Sequence, residues 1–274
     1  MKPLKDKLNE SLLDDEDELF DRNDKTLIEL WIKENYKIYG TLKIYEDKHG
    51  FVADSDANIE FTNKDIKSLT NGMFRWGEIT GKFDCSKCTE LISLEGAPSK
   101  CDRFDCSECT KLRSLKGAPN ECGSFYCIGC IELRSLEGAP NECSRRFKCS
   151  RCTGLRSLKG VPSECGSFNC SGCTELRSLK DAPKKCDSFN CSKCTGLRSL
   201  EGAPSECDIF DCSKCTELRS LKGVPSECGS FNCSECTELR SLDGLMICPG
   251  EVYCHECAKL KITEKYRTGY ILFT

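Results

Sequence analysis

The sequence predicts a β-rich solenoid: an array of about nine 21-residue units stacked behind a small α+β cap at the N-terminal end. Three observations predict it. The pair C-x-x-C begins at Cys85, Cys106, Cys127, Cys149, Cys170, Cys191, Cys212, Cys233 and Cys254, spaced by 21 residues except for one step of 22. Apolar residues fall at fixed offsets within each unit, as in Cys101-x-x-Phe104-x-Cys106-x-x-Cys109-x-x-Leu112-x-x-Leu115. Each unit then closes on a turn, Lys116-Gly117-Ala118-Pro119 in that example. A unit this short cannot bury its own apolar side, so only stacking makes a core. At about 4.8 Å per strand, the array is expected to run on the order of 40 Å.

From the N-terminus, residues 1–23 contain the acidic run DDEDELFD and are expected to be a flexible segment. Residues 24–80 are expected to form the cap. Asp24 to Asn35 reads as a helix with Asp24 as N-cap and Leu27, Leu30 and Trp31 on its apolar face. Leu42, Ile44, Phe51 and Ala53 mark two short strands joined by a turn around Asp47 to Gly50. Residues 57–72 resemble a degenerate first unit, with Ile59, Phe61, Ile66 and Leu69 at core positions. The array proper spans 81–257. Residues 258–274, of strand-like alternation, are expected to cap the far end, where Pro249 replaces the first cysteine of its unit and Cys248 falls one residue early.

Within a unit, Phe104 and Cys106 are two apart and share one face of a short strand, while Arg103, Asp105 and Ser107 are expected to point to solvent. Leu112 and Leu115 return the chain to the core. Gly117 supplies a turn conformation that other residues avoid, Pro119 fixes the dihedral that ends the turn, and Asp181 replaces the glycine once. Stacking should align Phe83, Phe104, Phe125, Phe147, Phe168, Phe189, Phe210 and Phe231 into an aromatic column closed by Val252. Offset neighbours in such a column add about 0.5–1.5 kcal/mol per pair.

The unit is similar to the leucine-rich-repeat template L-x-x-L-x-L-x-x-N/C-x-L, with cysteine and phenylalanine at positions where leucine is usual. A proline three residues before the first core position, as Pro98 precedes Cys101, resembles the short leucine-rich repeats of secreted bacterial effectors. The pattern S-L-x-G-A-P then F-x-C-S, as at Ser93 to Pro98 and Phe104 to Ser107, resembles repeat proteins of tailed bacteriophages and gut bacteria. That resemblance covers about two-thirds of the chain and implies the fold, not the role. No catalytic ubiquitin-ligase domain, such as some effectors carry, is expected after the last unit. The N-terminal Leu8-Asn9-Glu10 is similar to the cleavage motif of capsid-targeting peptides in some large phages, which would place a cut after Glu10.

The chain has 274 residues and a formal net charge of -4, so nucleic acid is not its expected partner. It contains no run of 18 apolar residues and its N-terminus lacks the apolar core of a secretory signal. A cytoplasmic protein, in host cytoplasm or a virion if phage-encoded, is therefore expected, with its 26 cysteines reduced.

Nothing in the sequence assembles a nucleophile–base pair, a phosphate-cradling loop or paired carboxylates, so the expected role is non-catalytic, with no cofactor. The cysteines occupy core positions and are expected to be buried thiols. The alternative is a zinc site drawn from neighbouring pairs, such as Cys106, Cys109, Cys127 and Cys130. Arg113, Arg134, Arg156, Arg177, Arg198, Arg219 and Arg240 recur on one flank beside Glu132, Glu175, Glu217 and Glu238, a stripe expected to be neutralised. Recognition of a protein partner is expected on a concave strand face that varies while the core repeats. Its candidates are Arg103, Asp105, Tyr126, Ile128, Arg146, Lys148, Asn169, Asn190, Ile209, Asp211, Asn232 and Tyr253, with Tyr126, Ile128, Arg146 and Lys148 clustered over two adjacent units. A purely structural spacer is the third reading.

Overall fold

The computed structural model describes residues 25–61, 64–245, 251–261 and 271–272. The acidic N-terminal run, the motif ending at Glu10, the Asp24 cap, and Cys248 with Pro249 lie outside them.

The chain opens with helix α1 (Lys25–Asn35) and strand β1 (Tyr36–Ile38). The hairpin β2 (Leu42–Asp47) and β3 (Gly50–Ser55) follows, with Ile44 opposite Ala53 and Asp47 opposite Gly50. The helix buries Ile28, Ile32 and Asn35; Leu30, expected on the apolar face, is 45% exposed. The packing surface decides this. Trp31 meets Tyr36 and Phe74 at ring-centroid distances of 5.5 and 6.0 Å, which turns Trp31 and the Ile28/Ile32 ridge inward and Leu30 away.

Strand β4 (Ile59–Phe61) belongs to the degenerate unit: Ile59, Phe61, Ile66 and Leu69 are all buried, and Ile59 pairs in parallel with Phe83. The array continues through β5 (Arg75–Asp84), β6 (Lys100–Asp105), β7 (Glu121–Tyr126), β8 (Glu142–Lys148), β9 (Ser167–Asn169), β10 (Ser188–Asn190), β11 (Glu206–Asp211), β12 (Glu227–Asn232) and β13 (Val252–Tyr253). Each pairs in parallel with the next, and β14 (Ile271–Leu272) pairs in parallel with β13. The result is a β-solenoid of about nine coils, one strand per coil, with α1 as the one helix among the described residues.

Register is locked by the core. Phe83, Phe104, Phe125, Phe147, Phe168, Phe189, Phe210 and Phe231 are fully buried, with neighbouring centroids 5.2–5.6 Å apart and near-parallel rings. Val252 stands opposite Phe231 and closes the column. A slip by one residue would expel every phenyl group from the core.

The turns explain the recurring small residues. Ala118 N–H donates to Leu115 O at 2.9 Å across Lys116-Gly117, and Gly117 has φ +90°. A Cβ at Gly117 would lie 2.7 Å from the backbone of Glu95 in the preceding coil. Glycine thus serves both the turn and the approach of coils. Asp181 holds the same turn at φ 67°. The serine between the paired leucines has a local task too: Ser114 Oγ accepts Lys116 N–H at 3.1 Å, and Ser157, Ser178 and Ser220 repeat the bond.

Candidate functional site: the strand face around Tyr126 and Lys148

The cysteines build the interior. From Cys109 onward, the second cysteine of each pair donates its thiol to the carbonyl of the first cysteine one coil earlier. Cys109 to Cys85, Cys130 to Cys106, and so on to Cys257 and Cys233 form this ladder at 3.0–3.2 Å. These bonds give buried strand-end carbonyls a donor from the next coil, in addition to the N–H of the second cysteine of the same pair, which reaches Cys106, Cys170, Cys191 and Cys233 O at 3.3–3.4 Å. Cys106, Cys109, Cys127 and Cys130, the four that a zinc site would bring together, are all fully buried within this arrangement. Among the described residues no three His, Cys, Asp or Glu side chains gather in a way that could hold a metal ion. Burial raises the thiols; Cys88, Cys101, Cys165 and Cys186 are pushed up to about 12.

Between the two cysteines the chain turns left-handed in every coil. Gly129 and Gly172 occupy the position twice, but Lys87, Glu108, Arg151, Lys193, Lys214, Glu235 and Glu256 hold it elsewhere at φ 54–63°. The strain keeps the ladder running past the strand end: Glu108 N–H donates to Ile128 O at 2.7 Å, and each coil repeats the bond to the next.

The middle position of the strand face, which looked variable, has a structural task. Asp84, Asp105, Asn169, Asn190, Asp211 and Asn232 each accept, through Oδ1, the backbone N–H two residues on, at 2.9–3.1 Å. Asparagine and aspartate interchange there because either closes this Asx turn. Tyr126, Lys148 and Tyr253 cannot. In the two tyrosine coils the orphaned N–H of Ile128 or His255 turns instead to Ser107 Oγ or Ser234 Oγ of the preceding coil, at 3.2 and 3.3 Å.

Two expectations for this face are corrected. Asp105 and Tyr126 are not exposed; they are 8% and 7% accessible. Side chains in register one strand apart cover each other, and Tyr126 is flanked on both sides. The Arg103 guanidinium lies 4.3 Å from its ring centroid and Lys148 Nζ 5.5 Å. Arg103 also reaches Asp105 at 3.5 Å. Its Nε is, among the described residues, the one buried side-chain nitrogen or oxygen without a hydrogen-bond partner. Arg146 is exposed, as is Ile209 at 52%, whereas Ile128, Asn169, Asn190, Asp211, Asn232 and Tyr253 are partly buried.

The single 22-residue step shapes this region. It shifts the register between β7 and β8, with Cys122 opposite Cys143 but Ser124 opposite Arg146. The resulting bulge carries Arg145, which reaches back two coils to Asp102, with bonds of 2.5 Å to the carboxylate and 3.1 Å to the carbonyl. Gly123 clears its path, since a Cβ there would lie 2.3 Å from Arg145 Nη2. A groove of about 600 Å³ results, bordered by Asp102, Arg103, Tyr126, Arg145 and Arg146. The sequence singled out Tyr126, Ile128, Arg146 and Lys148 as a cluster; Lys148 lies beside Tyr126, and Tyr126 and Arg146 border one groove, while Ile128 is not on its border. It gave no sign that Arg145 and Gly123 belong with them, because their contact spans two coils.

The arginine stripe is partly neutralised: Arg113, Arg156 and Arg198 meet Glu132, Glu175 and Glu217 of the following coil at 2.7, 3.8 and 3.5 Å. No helix among the described residues is long and apolar enough to cross a membrane. Comparison with protein-family models, with curated proteins and with solved structures finds no match to this chain.

Proposed function

We propose that this solenoid is a non-catalytic scaffold that binds a protein partner on its strand face, centred on β7 and β8. The observation that carries the proposal is the break in the Asx ladder. At Tyr126 and Lys148, two adjacent coils give up a local hydrogen bond that six other coils keep. The replacements place an aromatic ring between cations beside a groove, with Arg146 and Lys148 in no ion pair among the described residues. Such a surface suits a carboxylate-bearing segment of the partner, the arginines orienting it and the ring supplying contact area. The similarity of the unit to repeats of bacterial effectors and phages is compatible with a host or virion protein in that role.

The test uses Tyr126→Asn/Lys148→Asn, which restores the array's own pattern. A photo-crosslinking residue at Ile128 should capture a partner in the parent chain and lose it in the variant, with unchanged circular dichroism. Capture that persists in the variant would move the site elsewhere. No capture from any position on the strand face would favour a spacer.

A further inference from the structure

We propose that the partner segment bound on this face is an extended peptide carrying two opposite charges. A basic side chain sits among Glu78, Glu121 and Glu142, and a carboxylate about three or four residues along the segment sits against Arg103 and Arg146. The inference rests on the reading of the strand face as a protein-binding surface and adds to it a second contact and a direction.

Two adjoining grooves carry it. The groove bordered by Tyr126 has a neighbour of about 410 Å³ toward the start of the same strands, and both are bordered by Asp102 and Ser144. Between them runs the bond from Arg145 to Asp102 at 2.5 Å, in which the two charges cancel. What remains on either side of that bond is of opposite sign.

The acidic half follows from register. Glu78, Lys100, Glu121 and Glu142 stand opposite one another on β5 to β8, and all four line the first groove. Parallel pairing stacks like positions about 4.8 Å apart, so three carboxylates share one ammonium. Lys100 is bonded to Glu121 at 3.0 Å. That bond, with the charges of Glu121, Glu78 and Glu142 behind it, holds its ammonium above the ordinary lysine range. Glu78 and Glu142 are exposed and make no ion pair among the described residues, which leaves two carboxylates for an incoming cation.

The basic half lies farther along the same strands. Arg103 on β6 and Arg146 on β8 line the second groove, with Lys148 beside Tyr126. Arg103 brings to it the buried Nε that lacks an acceptor, and Arg146 has no ion pair among the described residues. Asp187, two coils beyond Arg145, is the carboxylate on this border besides Asp102. Glu121 precedes Ser124, the register partner of Arg103, by three residues, and Glu142 precedes Arg146 by four. The two poles are therefore about 10–13 Å apart, at about 3.3 Å per residue. An extended segment lying along the strands spans that distance in about three or four residues, whereas a helix needs about seven to nine. Because the poles differ in sign, one direction of the segment pairs opposite charges and the reverse direction pairs like ones.

The test is a selection of displayed random dodecapeptides against the full chain. Enriched peptides should carry Lys or Arg about three or four residues from Asp or Glu, in one order. A selected peptide should bind Glu142→Lys about tenfold more weakly and recover when its own basic residue is exchanged for glutamate. Arg146→Glu should behave as the mirror image, with the peptide's acid exchanged for lysine. Both positions are exposed, and unchanged circular dichroism would show that the coils are intact. Enrichment of acidic residues alone, with binding indifferent to Glu142→Lys, would overturn the two-charge inference and leave the carboxylate site at Tyr126 standing. Enrichment at the helical spacing, or in both orders equally, would overturn it too. A pool without acidic preference would sink the reading on which it rests.

Discussion

At the scale of single residues, this array is held by small local bonds repeated many times. Asn190 accepts its Asx bond from Ser192 N–H at 2.9 Å, so Asn190→Ala should cost about 0.5–1.5 kcal/mol in a denaturant titration. Tyr126→Asn should leave stability within about 1 kcal/mol of the parent, because the regained turn bond offsets the lost cation–π contacts. A large loss would show that Tyr126 serves packing rather than recognition. Left-handed positions separate in the same way. Gly117→Ala should destabilise by about 1–3 kcal/mol, since both its φ and the Glu95 backbone oppose a side chain. Asp181→Gly should stabilise by up to about 1 kcal/mol. Such details were half legible. The glycine turn and its tolerance of Asp181 follow from residue type alone. The Asx role does not: asparagine and aspartate alternating with tyrosine and lysine look like free variation until the backbone shows which N–H they serve.

Among elements, the strands were readable because their periodicity is strict. Phe104 and Cys106 two apart, then Leu112 and Leu115, leave one way to fill an interior, and all four are fully buried. Phe147→Ala, in mid-column between Phe125 and Phe168, should cost about 3–5 kcal/mol, and Val252→Ala at its end distinctly less, by thermal or chemical unfolding. Equal losses would mean that the rings do not act as a column. The helix was less readable. Leu27, Ile28, Leu30, Trp31 and Ile32 offer more apolar residues than one face needs, and the aromatic surface of Tyr36 and Phe74 selects among them. Strand β5 runs on to ten residues because its first half pairs with β3 and its second with β4, a division that no repeat pattern announces.

For the whole molecule, the buried thiols set how stability responds to pH. In the unfolded chain a thiol ionises near pH 8.5; in the fold, burial raises Cys88, Cys101, Cys165 and Cys186 to about 12. A raised folded value means stability that is complete below about pH 8.5 and is lost as pH climbs toward 12. Each such group steepens the decline by about 1.4 kcal/mol per pH unit, and these four together by about 5.5. Melting followed under reducing conditions from pH 7 to 10.5 should therefore fall sharply above pH 9. A flat profile would place the thiols in water.

The near-constant step of the coils has one more consequence. Phe168 is to Phe189 as Phe189 is to Phe210, so the molecule has almost the translational symmetry of a crystal along one axis. Excising residues 170–190 would join Asn169 to Cys191, a seam chemically identical to the natural one. The shortened chain should fold with the same spectrum, merely melting earlier. Length here behaves as a dial that gene duplication can turn without redesigning a single contact.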